Sequence, residues 1–538
     1  MTVSSTPLSS RDRNAWTLFA LVVGILVLLN VISVRHFLRL DLTRTQAYSL
    51  AKISKQYMRE LEAPMTAKAF FSRNLPPPYF SNARYLRDLL EDYRAYSRGR
   101  FNYQFIDPAD DPDRAREARS LGVYEVQLTA IEKDKFEQKV GYMGVALVYR
   151  DRREVIPLIQ DTEGLEYRIS SAIKKLLQKE RKVIGVTQGH GEPALDEALS
   201  NFRGLLAEHY EVVPVDPAEG AIPERVDSMI VAGPSEILPE AARYRLDAFL
   251  RDGRSLAVLA RMVEADPRGS MQGRPLDTGL PELLAAWGVK IHPNLVYDVQ
   301  CQRITVAQRG AGFVLQNIIP YPPFPVVTEL DDTSPINHNL ERFTLPFTSS
   351  LELDAPVLEA AGLEGRVLAK SSPRAWEQRN YFMLNPQFIE PPQENEQLRQ
   401  FDLVAALTGS FPSAFDAPPS NGDLPPLREE AEPSRLVVVG SVDFITNDFV
   451  PEGGRGGPEP GSLFAQNLVD WSAQDSALIE IRSKGASAPV LGPVPDLQRQ
   501  TVKYFNIIGL PVIVILAGLF MWRRFRVRRE AIAAMFKA

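Results

Sequence analysis

The chain has 538 residues, 45% hydrophobic and 24% charged, which is enough apolar material for two or three cores. Its net charge of −6 gives no support to a nucleic-acid role, so no nucleic acid is expected as a partner. With one cysteine, Cys301, an internal disulfide is excluded; a lone thiol suits a reducing cytoplasm, and equally a periplasm where cores supply the stability.

Residues 16–34 (WTLFALVVGILVLLNVISV) are uncharged. As a helix they reach about 28 Å, close to the hydrocarbon thickness of a bilayer. A cleaved signal peptide is the rival reading, but no small-x-small cleavage site closes the run. Residues 504–522 (YFNIIGLPVIVILAGLFMW) form a second uncharged run with aromatic residues at both edges and Pro511 as a kink. Arg523, Arg524, Arg526, Arg528 and Arg529 crowd its exit, which places residues 523–538 in the cytoplasm. Two spans then put residues 1–15 on the same side and the bulk of the chain in the periplasm of a bacterium, tethered twice to the inner membrane. Gly24, Gly509 and Gly518 offer places where another membrane helix can approach closely.

Between the spans, residues 40–178 read as one unit. Helical periodicity follows Ser49 through Leu50, Ile53, Tyr57 and Leu61. A strand is predicted at 65–71, a helix at 83–96, a strand at 100–106 and a short helix at 113–121. Strands follow at 126–131, 140–149 and 154–159, then a helix at 166–177. The order β-α-β-α-β-β-α, with one extra strand, predicts thioredoxin-like topology. There is no Cys-x-x-Cys, so disulfide exchange is excluded.

A second unit is predicted over 182–484. VIGVT (183–187) is a continuous apolar run, as a strand buried on both faces requires. A loop, Gln188-Gly189-His190-Gly191-Glu192-Pro193, leads to a helix through Leu195, Leu199, Phe202 and Leu206. Strands at 211–215, 228–232 and 255–260 alternate with a helix at 239–250; a further helix at 280–287 precedes a short strand at 289–291. This alternation predicts a doubly wound, amidotransferase-like or flavodoxin-like α/β sheet. Residues 292–433 look less regular and carry proline-rich loops at 320–325 and 418–433. RLVVV (435–439) returns to the strand pattern and runs into Gly440-Ser441-Val442-Asp443. An amphipathic helix is predicted at 463–472, and a Gly/Pro/Ser/Ala tether at 485–503.

In open α/β sheets, ligands sit beyond the carboxyl ends of strands, often at a helix N-terminus. Gln188, Gly189, His190, Gly191 and Glu192 occupy such a place. The loop reads as a tight turn or docking element, with small-ligand capture as a second use and His190–Glu192 acid–base chemistry as a third. Asp443, after another buried strand, is a second candidate, or an ordinary Asx-turn residue. Catalysis lacks a nucleophile: 255–261 runs SLAVLAR with no Gly-x-Cys-x-Gly elbow. Cys301, in VQCQR, reads as a buried structural thiol. His36, His190, His209, His292 and His338 have no ligand spacing, so no metal is expected. No Gly-x4-Gly-Lys-Ser/Thr is present, so the chain hydrolyses no ATP of its own. No cofactor is expected.

Taken together, LDLTRTQAYSLAKIS (40–54), FFSRNLPP (70–77), FNYQFIDP (101–108), LGVYEVQL (121–128), KVIGVTQGHGEPAL (182–195), RLVVVGSVDFITNDF (435–449) and NLVDWSAQDSALIEIRSK (467–484) resemble the GldG-like auxiliary components of gliding-motility-type ABC transport systems. SPINHNL (334–340) and LTGSFPSAF (407–415) fit as well. The resemblance implies an inner-membrane auxiliary subunit that works with a separate ABC permease and ABC ATPase on a substrate it does not name. It does not imply gliding. The function expected is a non-enzymatic periplasmic scaffold or substrate-handling subunit. The alternatives are a tethered periplasmic ligand-binding module and, further off, an amidotransferase-like hydrolase.

Overall fold

The computed structural model describes residues 49–475 except 77–78, 110, 133–134, 163, 179–180, 311–312, 339, 390–391, 393–397, 421–423, 425, 427 and 453–458; it also describes 21–22, 24, 479, 500, 503–505, 507 and 510–535. Contacts divide the chain into two compact units, Met1–Ala486 and Ser487–Ala538.

The first described helix, α1 (Lys52–Glu60), starts without a side-chain cap of its own. The first strands and helices after it are β1 (Met65–Phe71), α2 (Phe80–Tyr96), β2 (Phe101–Ile106) and α3 (Pro112–Ser120). Asp111 caps α3 by accepting the Asp113 and Arg114 amides, with Pro112 as the first helical residue. Next come β3 (Val126–Glu132), β4 (Lys135–Gly141), β5 (Met143–Tyr149), β6 (Arg152–Ile156) and α4 (Leu165–Leu177). Four strands form one sheet in the order β2-β1-β5-β6, with β1 parallel to β2 and antiparallel to β5. This is the β-α-β-α-β-β-α succession expected, with β3 and β4 set apart as a separate hairpin. The sequence reading missed β4 because KFEQKVG has no run of apolar residues to announce a strand.

Packing explains which faces are apolar. Met65, Ala67, Ala69 and Phe71 of β1 face Met58, Leu86, Leu90, Ile169 and Ile173 from α1, α2 and α4. Phe70 points the other way, toward Ala118 of α3. Glu166, in the first turn of α4, accepts from the Ala51 amide (2.6 Å) and the Ser54 hydroxyl (2.9 Å), which supplies the start of α1 with the acceptor its own sequence lacks.

The larger sheet begins with β7 (Val183–Thr187), α5 (Ser200–Ala207), β8 (Glu211–Val215), β9 (Val226–Ala232), α6 (Glu240–Arg251) and β10 (Ser255–Leu259). After these come α7 (Leu280–Ala286), β11 (Val289–Ile291), β12 (Cys301–Gly310), β13 (Phe313–Val327), β14 (Leu351–Leu353), α8 (Ala355–Ala361), β15 (Glu364–Lys370), β16 (Asp402–Gly409), β17 (Ser434–Val439) and α9 (Pro460–Ser472). Ten strands make one sheet, its main path running β11-β14-β16-β17-β10-β9-β7-β8, with β15 on β16 and the two-residue strand Glu329–Leu330 on β15. From β8 to β17 neighbours are parallel; beyond β17 they are antiparallel. Phe202 and Leu206 of α5 and Leu463, Phe464 and Leu468 of α9 cover one face. Leu246, Phe249 and Leu250 of α6 and Leu280, Leu283 and Leu284 of α7 cover the other. Burial on both faces is why these parallel strands read as unbroken apolar runs.

Three expectations change. The helix expected from Leu195 begins only at Ser200, because Gln188 Oε1 holds the Leu195 amide (3.1 Å) and residues 195–199 turn first. Residues 292–433, expected to be less regular, hold most of the antiparallel half of the sheet, β14, β15 and β16, of which β14 is only three residues long. Cys301 is half-buried, not buried, at the start of β12, and that burial raises its thiol pKa.

Elsewhere the sheets meet through side chains. Lys174 of α4 bonds Asp475, both nearly buried. Burial lowers the lysine pKa and the Asp475 charge opposes that. Tyr167 also bonds His209 Nε2 (2.9 Å).

In the second unit, α10 (Leu510–Met535) exposes Val512, Ile515, Leu516, Leu519, Phe520 and Trp522. It does not stop at Trp522 but continues through the arginines. Among the described residues, no helix is long and apolar enough to cross a membrane. The membrane-spanning helix expected over 504–522 is therefore not supported there: the described apolar stretch starts at Leu510 and Arg523 ends it. The span expected at 16–34 lies outside the described residues apart from 21–22 and 24, as does the tether at 485–503 apart from 500 and 503.

Candidate functional site

Gln188–Glu192 leaves the carboxyl end of β7, and its groups turn inward. The Gln188 amide nitrogen donates to Thr187 O (2.7 Å) and Pro193 O (3.2 Å). The His190 amide donates to Glu192 Oε2 (2.6 Å). The His190 carbonyl accepts from the Ser235 and Glu236 amides, each at 3.0 Å, and the Ser235 hydroxyl donates to Gly191 O (3.0 Å). The Gln188 backbone amide donates to Val215 O (3.0 Å), so the ends of β7, β8 and β9 are held together.

The glycines are required by geometry. Gly189 has φ +114° and Gly191 has φ +73°, and a Cβ at either would run into Asp216 or Ser235 respectively. The His190 ring is nearly buried, with Nδ1 4.0 Å from Asp216 Oδ1. His190 Nδ1 and Glu192 Oε1 are buried without a hydrogen-bond partner among the described residues. His190 and Glu192 therefore meet through the loop backbone rather than as an aligned acid–base pair. The helix N-terminus expected beside the loop is absent, since α5 starts at Ser200.

Asp443 lies along the same sheet edge, in a 3-10 turn (Asp443–Ile445) after β17. Gly233, after β9, packs against Val442, which links this turn to the Ser235–Glu236 segment that holds His190. Asp443 Oδ1 sits 3.4 Å from Arg261 Nη2, at the carboxyl end of β10. Burial raises the Asp443 pKa, and the Arg261 charge offsets part of that rise. Sequence reading missed Arg261 because nothing local connects it to a residue 182 positions away.

Asn447 is the other residue missed. Its amide donates to Glu197 O (2.6 Å) and the Ser200 hydroxyl (2.9 Å), and its Oδ1 accepts from the Asn201 amide (3.0 Å). It ties the turn after β17 to the start of α5; a polar ITND run after a buried strand was the available signal. Beyond this turn opens a cavity of about 630 Å³. Phe343, Phe444 and Phe449 line it with Arg342, Asp448 and Glu459, whereas none of Gln188–Glu192 does. Space for a ligand therefore adjoins the Asp443 turn and not the His190 loop. Among the described residues no group of His, Cys, Asp and Glu is placed to hold a metal ion.

Comparison with known proteins gives matches of three kinds. The model of a family described as an ABC-type uncharacterized transport system matches residues 181–469. A domain-of-unknown-function family matches residues 44–148. An uncharacterized protein of Borreliella burgdorferi is 22% identical over 499 residues, covering 91% of this chain and 93% of that protein. Among solved structures, the mmIFT52 N-terminal domain is similar to 54% of this chain over 97% of its own, with a TM-score of 0.32 and 14% identity. A ThuA-like protein from Parabacteroides merdae is similar to 59% of this chain over 94% of its own, with a TM-score of 0.27 and 10% identity. Both scores are too low to carry an argument.

Proposed function

The chain belongs to the ABC-type uncharacterized transport system family, and from that premise we propose that it is a non-enzymatic auxiliary subunit of a bacterial ABC transporter, of the GldG-like kind. The family match over more than half the chain carries the reading. It makes this an accessory of ABC transport; the finer role rests on the residues. The polar groups of Gln188–Glu192 bond mostly within the loop and to Val215, Ser235 and Glu236, which suits a scaffold better than a reaction centre.

In this reading, residues 16–34 and 504–522 anchor the chain in the inner membrane with both termini cytoplasmic. The exposed apolar side chains of α10 suit a lipid or helix-packing environment. Residues 40–178 and 182–484 then form the periplasmic body over an ABC permease, and an ABC ATPase reached through that permease supplies the energy.

Two measurements test this. A cysteine introduced at Glu240 is expected to react with an impermeant reagent in spheroplasts; protection there would invert the orientation. Replacing 504–522 with an unrelated leucine-rich helix is expected to weaken co-purification of the permease while the rest stays folded. An unchanged complex would remove the role given to that span.

The cavity beside the Asp443 turn favours a second reading, a ligand-binding module. Phe449→Trp, which fills that space, is expected to leave transport unchanged under the scaffold reading and to impair it under the ligand-binding one.

A further inference from the structure

In the second compact unit, α10 changes character at one residue. Up to Trp522 it is apolar. At 3.6 residues per turn, Ile515, Leu516, Leu519, Phe520, Met521 and Trp522 point to every side of the axis, and each is more than half exposed. A helix that is apolar all round belongs in apolar surroundings. With no polar face, it cannot lie flat with one side in water and the other in lipid.

From Arg523 to Arg529 the same helix continues unbroken and carries five arginines and no acid. They too fall around the axis, so they form a collar roughly 9 Å tall. The chain as a whole is acidic, with a net charge of −6, and arginines of the first unit such as Arg203 and Arg268 are met by Asp196 and Asp448. In the collar, Arg523, Arg524, Arg528 and Arg529 are exposed and have no carboxylate partner among the described residues. Arg526 lies over the Trp522 ring, 5.4 Å from its centroid.

Nucleic acid, an acidic protein segment and an anionic lipid surface all carry the charge that such a collar attracts. The apolar groups choose between them. Phe525 and Val527, 66% and 59% exposed, stand among the arginines, and the apolar turns adjoin them. Nucleic-acid phosphates or peptide carboxylates would meet the guanidiniums and leave these groups in water. A lipid surface satisfies both kinds. Acyl chains receive the apolar turns, Trp522 takes the interface, and headgroup phosphates match the planar forks of the guanidiniums. From Leu510 to Trp522 the helix rises about 20 Å, so these turns fit inside a hydrocarbon layer of about 30 Å with the collar at its surface.

We infer that α10 binds anionic phospholipid through the collar Arg523–Arg529, with headgroup charge as well as acyl chains holding this end of the chain. The inference rests on the membrane placement proposed above and adds the class of lipid that meets it. It needs one membrane face and no crossing.

The test uses the full chain in mixed micelles holding equal amounts of phosphatidylglycerol and phosphatidylcholine, with retained lipids counted by native mass spectrometry. Phosphatidylglycerol is expected in at least about fivefold excess, the gain from a single arginine at an anionic surface. Changing Arg523, Arg524, Arg528 and Arg529 together to glutamine, which keeps the helix propensity, should bring the ratio close to one. Changing the same four to lysine should keep most of the excess. An excess unchanged in the glutamine variant overturns the inference, as does retention of both lipids without preference; either result leaves the membrane placement standing. Loss of the excess in the lysine variant as well would trace it to the fold of the helix and overturn the inference too. Retention of neither lipid, with no flotation on vesicles of either lipid, overturns the inference and the placement together. A polyglutamate peptide that displaces phosphatidylglycerol would overturn it in favour of an acidic protein segment. Displacement by millimolar inorganic phosphate would overturn it in favour of a site for free phosphate.

Discussion

Two turns at one edge of the same sheet have opposite fates. Gln188–Glu192 and Asp443–Phe449 each follow a buried parallel strand, β7 and β17. The first is tightly tied: its glutamine side chain and the His190 amide bond within the loop, the Gln188 backbone amide donates to Val215 O, the His190 carbonyl accepts from Ser235 and Glu236, and its glycines admit no side chain. The second faces a cavity of about 630 Å³ and carries a carboxylate whose pKa burial raises. Position beyond a strand's carboxyl end therefore does not by itself mark a ligand site. What distinguishes the two is that Phe444, Asp448 and Phe449 of the second turn border open space, whereas no residue of the first lines that cavity.

That contrast can be broken by mutation, and the largest effect is expected at Gly189. Gly189→Ala forces a side chain into Asp216 at φ +114° and should cost roughly 2–4 kcal/mol by denaturant unfolding. A loss under 1 kcal/mol would mean that the turn is not tightly tied. Gln188→Ala leaves the Leu195 amide and two carbonyls without their partner; about 1–3 kcal/mol is expected. Asn447→Ala, which unties the second turn from α5, should fall in the same range of about 1–3 kcal/mol. It should also raise hydrogen exchange at Asn201 if that tether is real.

Asp443→Asn is expected to act more weakly and with the opposite sign. A carboxylate whose folded pKa is raised destabilises the fold wherever it is ionised, above that pKa. The asparagine variant should therefore melt slightly higher at neutral pH. Its advantage should shrink as the pH falls through the folded pKa and vanish below the ordinary aspartate value. An advantage that grows on acidification would mean that Arg261, not burial, governs Asp443. The smallest effect is expected at Arg268, whose exposed pair with Asp448 (2.9 and 3.0 Å) should contribute at most about 1 kcal/mol.

The same contrast shows what could be read from the amino acids alone. VIGVT, SMIVA, SLAVL and RLVVV announced the parallel strands because burial on both faces removes every polar interruption. In the antiparallel half, LEL (351–353) was hidden by its shortness: it holds a place in the sheet with three residues. β13 was hidden by four prolines at 320–325, which read as a loop although the strand runs through them. The Gln188–Glu192 turn was legible as a turn from its glycines. Its tying was not, because Ser235, Glu236 and Asp216 are brought to it by the sheet and not by sequence. Arg261 and Asn447 escaped for the same reason.

The central claim is that this chain works as an accessory of an ABC transporter, and native mass spectrometry of the full chain, purified from cells in mild detergent, tests it most directly. The account predicts one assembly holding this chain, a permease and an ATPase in fixed ratio, retained when His190 is replaced by glutamine. A chain that purifies alone, with neither permease nor ATPase in any assembly that contains it, would contradict the account.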